Sequence, residues 1–252
     1  QNYTGNYWKL TNATLSGKSY VLATGNLDTS LLPGTDPIIT QNGGGTGTLT
    51  FSSGGGMAIM RNVPVAPFDA EIRLEINVID GDGVTYPGNP AHFGQAASGQ
   101  GISFSAGKEI RYGRLTLDNA HGSELLPLSV PLRAEYYNGS SFVQNIDDSC
   151  TPYVNTHLLL GSYTGNLSVG DTTVSGSGSL TSAAGVFSLA APGPGNDGGV
   201  RLEYDLASGG ADLPWLQFDW EGDGSRLNPA AKATFGIFKG NPRLIYMRES
   251  VW

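Results

Sequence analysis

The sequence predicts an all-β protein built as tandem immunoglobulin-like or related antiparallel β-sandwiches. Three observations carry this. Helix-opposing residues are abundant, with 37 glycines and 14 prolines in 252 residues, beside many Thr, Ser and Asn. Short runs alternate apolar and polar residues, the period-two pattern of half-buried strands. Blocks from the first half recur in the second in the same order.

Taken along the chain, the alternation predicts strands at Thr46 to Phe51, Glu71 to Ile79, Arg114 to Leu117, Leu128 to Tyr136, Gly199 to Tyr204, Trp215 to Trp220 and Arg243 to Met247. The run Asn228 to Thr234 reads instead as a single helical turn with Pro229 at its first position, or as a loop. The repeats begin with Tyr3-Thr4-Gly5-Asn6 against Tyr163-Thr164-Gly165-Asn166, and Gly45 to Thr50 against Gly176 to Thr181. Asp80-Gly81-Asp82-Gly83 is matched by Glu221-Gly222-Asp223-Gly224, Asn89-Pro90-Ala91 by Asn228-Pro229-Ala230, and Phe93-Gly94 by Phe235-Gly236. Ile110-Arg111-Tyr112 parallels Ile245 to Arg248. A duplication divides the chain into residues 1–112 and a more complete unit, 113–252. The segment Gly113 to His157 has no earlier counterpart, so the first unit is expected to lack its opening strands, which would be trimmed or supplied from elsewhere.

Composition restricts partners. The net charge is −8, with 14 basic and 22 acidic residues, which disfavours nucleic acid and anionic membrane surfaces. No apolar run approaches the ~20 residues that span a bilayer. Cys150 is the single cysteine, so no intrachain disulfide forms, and it reads as a small buried apolar residue.

Certain blocks carry a family resemblance. Arg111-Tyr112-Gly113-Arg114-Leu115, Asn119-Ala120-x-Gly122-Ser123-Glu124, LPLSVPLRAEYYNGSSFVQN and Asp147-Asp148-Ser149-Cys150-Thr151 resemble the C-terminal domain, of unassigned function, of MshQ-type proteins encoded with the MSHA type IV pilus system. Thr234 to Phe238 and Ile245 to Glu249 are similar to that family's ending. The resemblance implies the last portion of a large exported protein on the outer surface of a Gram-negative bacterium, and it implies no established activity.

The residues themselves offer few chemical motifs. Asp80 and Asp82 have the Asp-x-Asp-Gly spacing that opens a calcium loop, and Glu221 and Asp223 keep that spacing in the second copy with Glu in place of the first Asp. The twelfth position counted from Asp80 is Ala91 rather than a bidentate Glu, so a plain hairpin turn is the competing reading. The Asp147-Asp148 cluster reads as a turn cap. His92, His121 and His157 lack zinc spacing and no Gly-x-Ser-x-Gly elbow occurs. Aromatic side chains at Tyr7, Trp8, Tyr137, Trp215 and Trp220 are the candidate contact residues, for protein partners or for sugar rings. Adjacent Tyr136 and Tyr137 are expected on opposite strand faces. The expected function is a non-enzymatic surface module acting in pilus assembly or adhesion, through contacts with other surface or pilus proteins or with copies of itself. The alternative is a calcium-supported carbohydrate-binding module.

Overall fold

The computed structural model describes residues 4–52, 56–60, 63–97, 99–103, 109–207 and 209–236. It is all-β: among these residues helix is limited to the 3-10 turns Gly5–Tyr7, Asn12–Thr14, Asn155–His157 and Pro214–Leu216. The expected strand at Arg243 to Met247, Tyr3 of the first repeat and the motif from Ile237 onward lie outside the described residues. The chain divides into two compact units, residues 1–112 with 137–141, and residues 113–136 with 142–252.

The second unit is a two-sheet sandwich. Gly113–Leu117 pairs with Leu128–Tyr137, which pairs with Ala184–Leu189, which pairs with Val174–Ser175, all antiparallel. The other sheet runs in the order Ala120–Gly122, Ala230–Phe235, Gly198–Tyr204, Leu158–Gly165. The opening segment therefore changes sheets between Leu117 and Ala120, and its second half pairs in parallel with the last strand. This connectivity is that of the immunoglobulin sandwich. Alternation explains the packing: in Leu128–Tyr137 the residues Leu128, Val130, Leu132 and Ala134 are buried between exposed or half-buried neighbours. They meet Val200, Leu202, Tyr204, Ala233 and Phe235 of the facing sheet in one core, each large side chain contributing about 1.5–3 kcal/mol through burial. Phe187 stands edge-on to Tyr153, with ring centroids 5.3 Å apart, and 5.4 Å from Tyr204. The buried Tyr204 hydroxyl accepts the Val154 amide at 3.1 Å, so it is not left unpaired.

The first unit centres on a smaller sheet. Glu71–Val78 pairs antiparallel with Leu15–Leu22 on one side and with Ala91–Phe93 and Ile102–Ser103 on the other. Its inward residues Ile72, Leu74 and Ile76 are buried. The Ile38–Gly43 and Thr46–Thr50 hairpin packs Ile39 and Leu49 against that core. The remaining described strands of this unit form two-stranded ladders, Asn26–Asp28 with Ala58–Met60 and Phe68–Asp69 with Glu109–Ile110. Asp36, 2% exposed, is satisfied by the Ser52 amide at 2.9 Å and the Ser52 hydroxyl. Lys18 donates to the Thr35 and Asp36 carbonyls beside it, at 2.9 and 2.7 Å.

The two units share a three-strand pattern. In each, a 3-10 turn opening on Asn (Asn12, Asn155) leads into an eight-residue strand with a register irregularity. That strand pairs with a central strand, whose far side takes a strand introduced by Asn-Pro-Ala. The Asn side chain ties the entry in both: Asn89 Oδ1 accepts the Val78 amide and Asn228 Oδ1 accepts the Leu206 amide. The first proposed match is out of place, however. Gly5 and Asn6 lie in a 3-10 turn before the unit's first strand, whereas Thr164 and Gly165 end the corresponding strand. Thr24-Gly25-Asn26-Leu27, just past the end of Leu15–Leu22, repeats the letters of Thr164-Gly165-Asn166-Leu167, and Gly25 and Gly165 both take the left-handed backbone that favours glycine.

Three further expectations change. Of Asn228 to Thr234 only Asn228 and Pro229 are irregular: Ala230–Phe235 is a strand, with Ala231, Ala233 and Phe235 buried and Ala230 and Lys232 exposed. Pairing on both sides and burial of the alternate face override alanine's helix propensity. Trp215 to Trp220 is not a strand; Pro214 opens a 3-10 turn that turns Leu213 and Leu216 inward, and only a single bridge, Phe218 with Leu227, follows. Cys150 is exposed rather than buried, because the Asp148 carboxylate holds its turn at the surface by accepting the Cys150 and Thr151 amides. Tyr136 and Tyr137 are both half-buried at the strand end, where alternation fades.

Candidate binding groove on the second unit

The outer face of the second unit's Gly198–Tyr204 sheet is built by the same alternation that fills its core. With Val200, Leu202 and Tyr204 inward, Arg201 and Glu203 face out. With Ala231 and Ala233 inward, Lys232 faces out on the next strand, and the register sets Arg201 directly opposite Lys232. Like charges opposite one another on one sheet face are destabilising. Gly199 leaves room for the Lys232 stem, which lies where a side chain at 199 would be.

Two adjoining hollows lie over this face. One, about 510 Å³, is lined by Glu203, Gln217, Trp220, Arg226 and Asn228 among others; the next, about 430 Å³, by Asn119, Ser162, Thr164 and Lys232. Arg201 and Ala230 line both, so they form one groove. Its polar floor is tied internally. Asn228 Nδ2 donates to Glu203 Oε1 at 3.1 Å, and Asn228 Oδ1 accepts Gln217 Nε2 at 2.9 Å. Arg201 pairs with the other Glu203 oxygen. The Asn228 hydrogen bond, and after it Arg201, outweigh the opposing effect of burial and hold the Glu203 carboxyl below the ordinary Glu range. A carboxylate held ionised accepts hydrogen bonds and is poorly suited to donating a proton.

One wall is the long connection between Gly198–Tyr204 and Ala230–Phe235. Arg114 anchors it: the guanidinium lies 3.8 Å from the Phe142 ring centroid, 4.7 Å from Phe218 and 4.8 Å from Trp220, while bonding Glu135 at 2.8 and 2.9 Å. Phe218 meets Trp220 edge-on at 5.2 Å. Trp220 is thus fixed from behind yet 40% exposed toward the groove.

Of the residues singled out from sequence, Trp220 and Glu221 line this groove. Trp215, 54% exposed, stands on the same connection but not among the groove residues. Tyr7, 70% exposed, and half-buried Trp8 belong to the first unit, where Trp8 lines an apolar hollow of about 370 Å³ with Leu15, Ile39 and Leu49. Tyr137 donates its amide to the Tyr112 carbonyl at 2.9 Å. Asp80 Oδ1 accepts the Asp82 and Val84 amides at 2.9 and 2.8 Å, closing a turn. In the second copy that part falls to Asp219, which the sequence reading missed: its carboxylate accepts the Gly222, Asp223 and Gly224 amides, while Asp223 caps Ser225. Among the described residues no three His, Cys, Asp or Glu side chains converge as a metal would require. Arg201, Arg226, Lys232, Glu203 and Asn228 were also missed. Alternation in GGVRLEY exposes Arg201 and Glu203, but Lys232 joins them only once Asn228 to Thr234 is read as a strand.

The fold is all-β, with an immunoglobulin-type sandwich in the second unit. The chain belongs to the DUF6701 family: residues 111–250 match its fourth domain and residues 1–103 its third. No curated protein and no solved structure matches the chain.

Proposed function

We propose that the chain is a non-enzymatic module on the outer surface of a Gram-negative bacterium, part of a pilus-associated protein of MshQ type, and that it acts in assembly or adhesion through protein contacts. The observation that carries this reading is the pair of open sheet edges. Leu15–Leu22 and Leu158–Gly165 each end their sheet, with no strand on the outer side among the described residues. Eight residues extend about 26 Å at roughly 3.3 Å per residue, enough to template an added strand from a partner. The register irregularities at Ser16 to Ser19 and Gly161 to Thr164 kink both edges, which limits indiscriminate pairing. The resemblance of the Arg111 to Asn145 region to MshQ-type proteins supports the pilus setting. Hydrogen exchange of the chain, alone at rising concentration and mixed with sheared pili, tests the reading. Slower exchange confined to these two strands is expected; unchanged exchange at saturating pili, with a strictly monomeric chain in sedimentation, overturns it.

A further inference from the structure

We infer that the groove on the second unit binds a saccharide chain bearing carboxylate groups. The first ground is charge. The described part of this unit holds five basic side chains, Arg114, Arg133, Arg201, Arg226 and Lys232. Arg114 and Arg133 are committed to carboxylates on the other sheet, Glu135 and Asp118. The remaining three all line the groove. Among the described residues no carboxylate lies within salt-bridge distance of Arg226 or Lys232, and Arg201 and Lys232 occupy opposed register positions on one face. Against these three cations the lining sets two carboxylates, Glu203 and Glu221, so in a chain of net charge −8 the groove keeps an excess of positive charge that an anion laid across it offsets.

The second ground is the kind of surface offered. Trp220 presents an exposed ring held from behind by Arg114 and Phe218, so little ordering is needed before a flat sugar face can stack on it. Beside it, Glu203, Gln217 and Asn228 are tied by hydrogen bonds through Asn228 into a polar floor for hydroxyl groups. Asn119, Ser162 and Thr164 continue the polar lining past Arg201. Thr116 and Leu117 of the Gly113–Leu117 strand line the groove as well, and the rest of its lining crosses the outer face of the Gly198–Tyr204 sheet. The sugar reading follows from stacking and hydroxyl acceptors, and the acidic reading from Arg226 and Lys232 on either side of the Arg201–Glu203 pair.

Titration calorimetry on the full chain tests this independently of the edge-strand reading, because the isolated chain suffices. Hexagalacturonate is expected to bind, with affinity falling as salt rises, and maltohexaose to bind at least about tenfold more weakly, a difference of about 1.4 kcal/mol. Lys232→Gln and Arg226→Gln, both exposed and expected to fold, should each weaken hexagalacturonate severalfold, and Arg133→Gln on the opposite sheet should not. Trp220→Ala should abolish binding of either sugar. No binding of hexagalacturonate at millimolar concentration, equal affinity for maltohexaose, equal affinity for polyglutamate, or indifference to Lys232→Gln and Arg226→Gln each overturns the inference.

Discussion

The Arg114 guanidinium stacks 3.8 Å from the centre of the Phe142 ring while its nitrogens hold Glu135. Through Phe218 and Trp220 the same guanidinium fixes the long connection that walls the groove. Gly113–Leu117 is an outermost strand of its sheet, and the Pro214–Leu216 turn of that connection brings Leu216 against Gly113. One side chain therefore links protection of a sheet edge to placement of the exposed Trp220.

Arg114→Ala should destabilise the second unit by about 2–4 kcal/mol in urea unfolding, because it leaves Glu135, only 16% exposed, without its partner and removes the stacking. Arg114→Lys keeps the charge but not the planar fork, and should cost about 1–2 kcal/mol. Both variants should shift Trp fluorescence to the red as Trp220 loosens. Wild-type stability and spectrum in Arg114→Ala would show that the rings hold the connection without it.

The pH response follows from Glu203. Its folded midpoint lies below the unfolded value of about 4.3. The stability it contributes is therefore fully present above that unfolded value and is lost as pH falls through the lower folded one. Asn228→Ala removes the main cause, so the Glu203 midpoint in a carbon-detected NMR titration should rise. An unmoved midpoint would assign the effect to Arg201 alone.

Adjacent glycines should respond differently. A methyl group at Gly198 would overlap the Thr164 carbonyl oxygen, which is backbone and cannot yield. At Gly199 it would meet the Lys232 Cε at 2.6 Å, the far end of a flexible chain, and Thr164 Oγ1 at 3.0 Å. Gly198→Ala is expected to cost about 3 kcal/mol or more and Gly199→Ala about 1 kcal/mol or less, measured by thermal unfolding. Equal losses would contradict the pairing of Leu158–Gly165 with Gly198–Tyr204.

The acidic turns are expected to close without a cation, since the Asp80 and Asp219 carboxylates already accept backbone amides. Melting temperature should be unchanged by excess EDTA and lowered by Asp219→Ala. A drop on chelation would support the calcium reading of Asp80, Asp82, Glu221 and Asp223.

What the sequence determined by itself was whatever depends on local pattern. Alternation in EIRLEINVI and LPLSVPLRAEYY marked the buried strands, and glycine and proline content excluded long helices, because side-chain period and backbone freedom are properties of neighbouring residues. Asn-Pro-Ala was legible only as a repeated block; that it introduces a strand in both units is seen in the strand pairing. The tertiary structure alone decided that AAKATF is a strand, since alanine favours helix until pairing on both sides and a buried face outweigh it. It decided that Trp220 joins Arg114 and Phe142 from distant parts of the chain. It also set Arg201 beside Lys232, because strand register is fixed by burial of the whole face and by no residue singly. The groove depends on those three outcomes, which is why its cations passed unnoticed while its tryptophan did not.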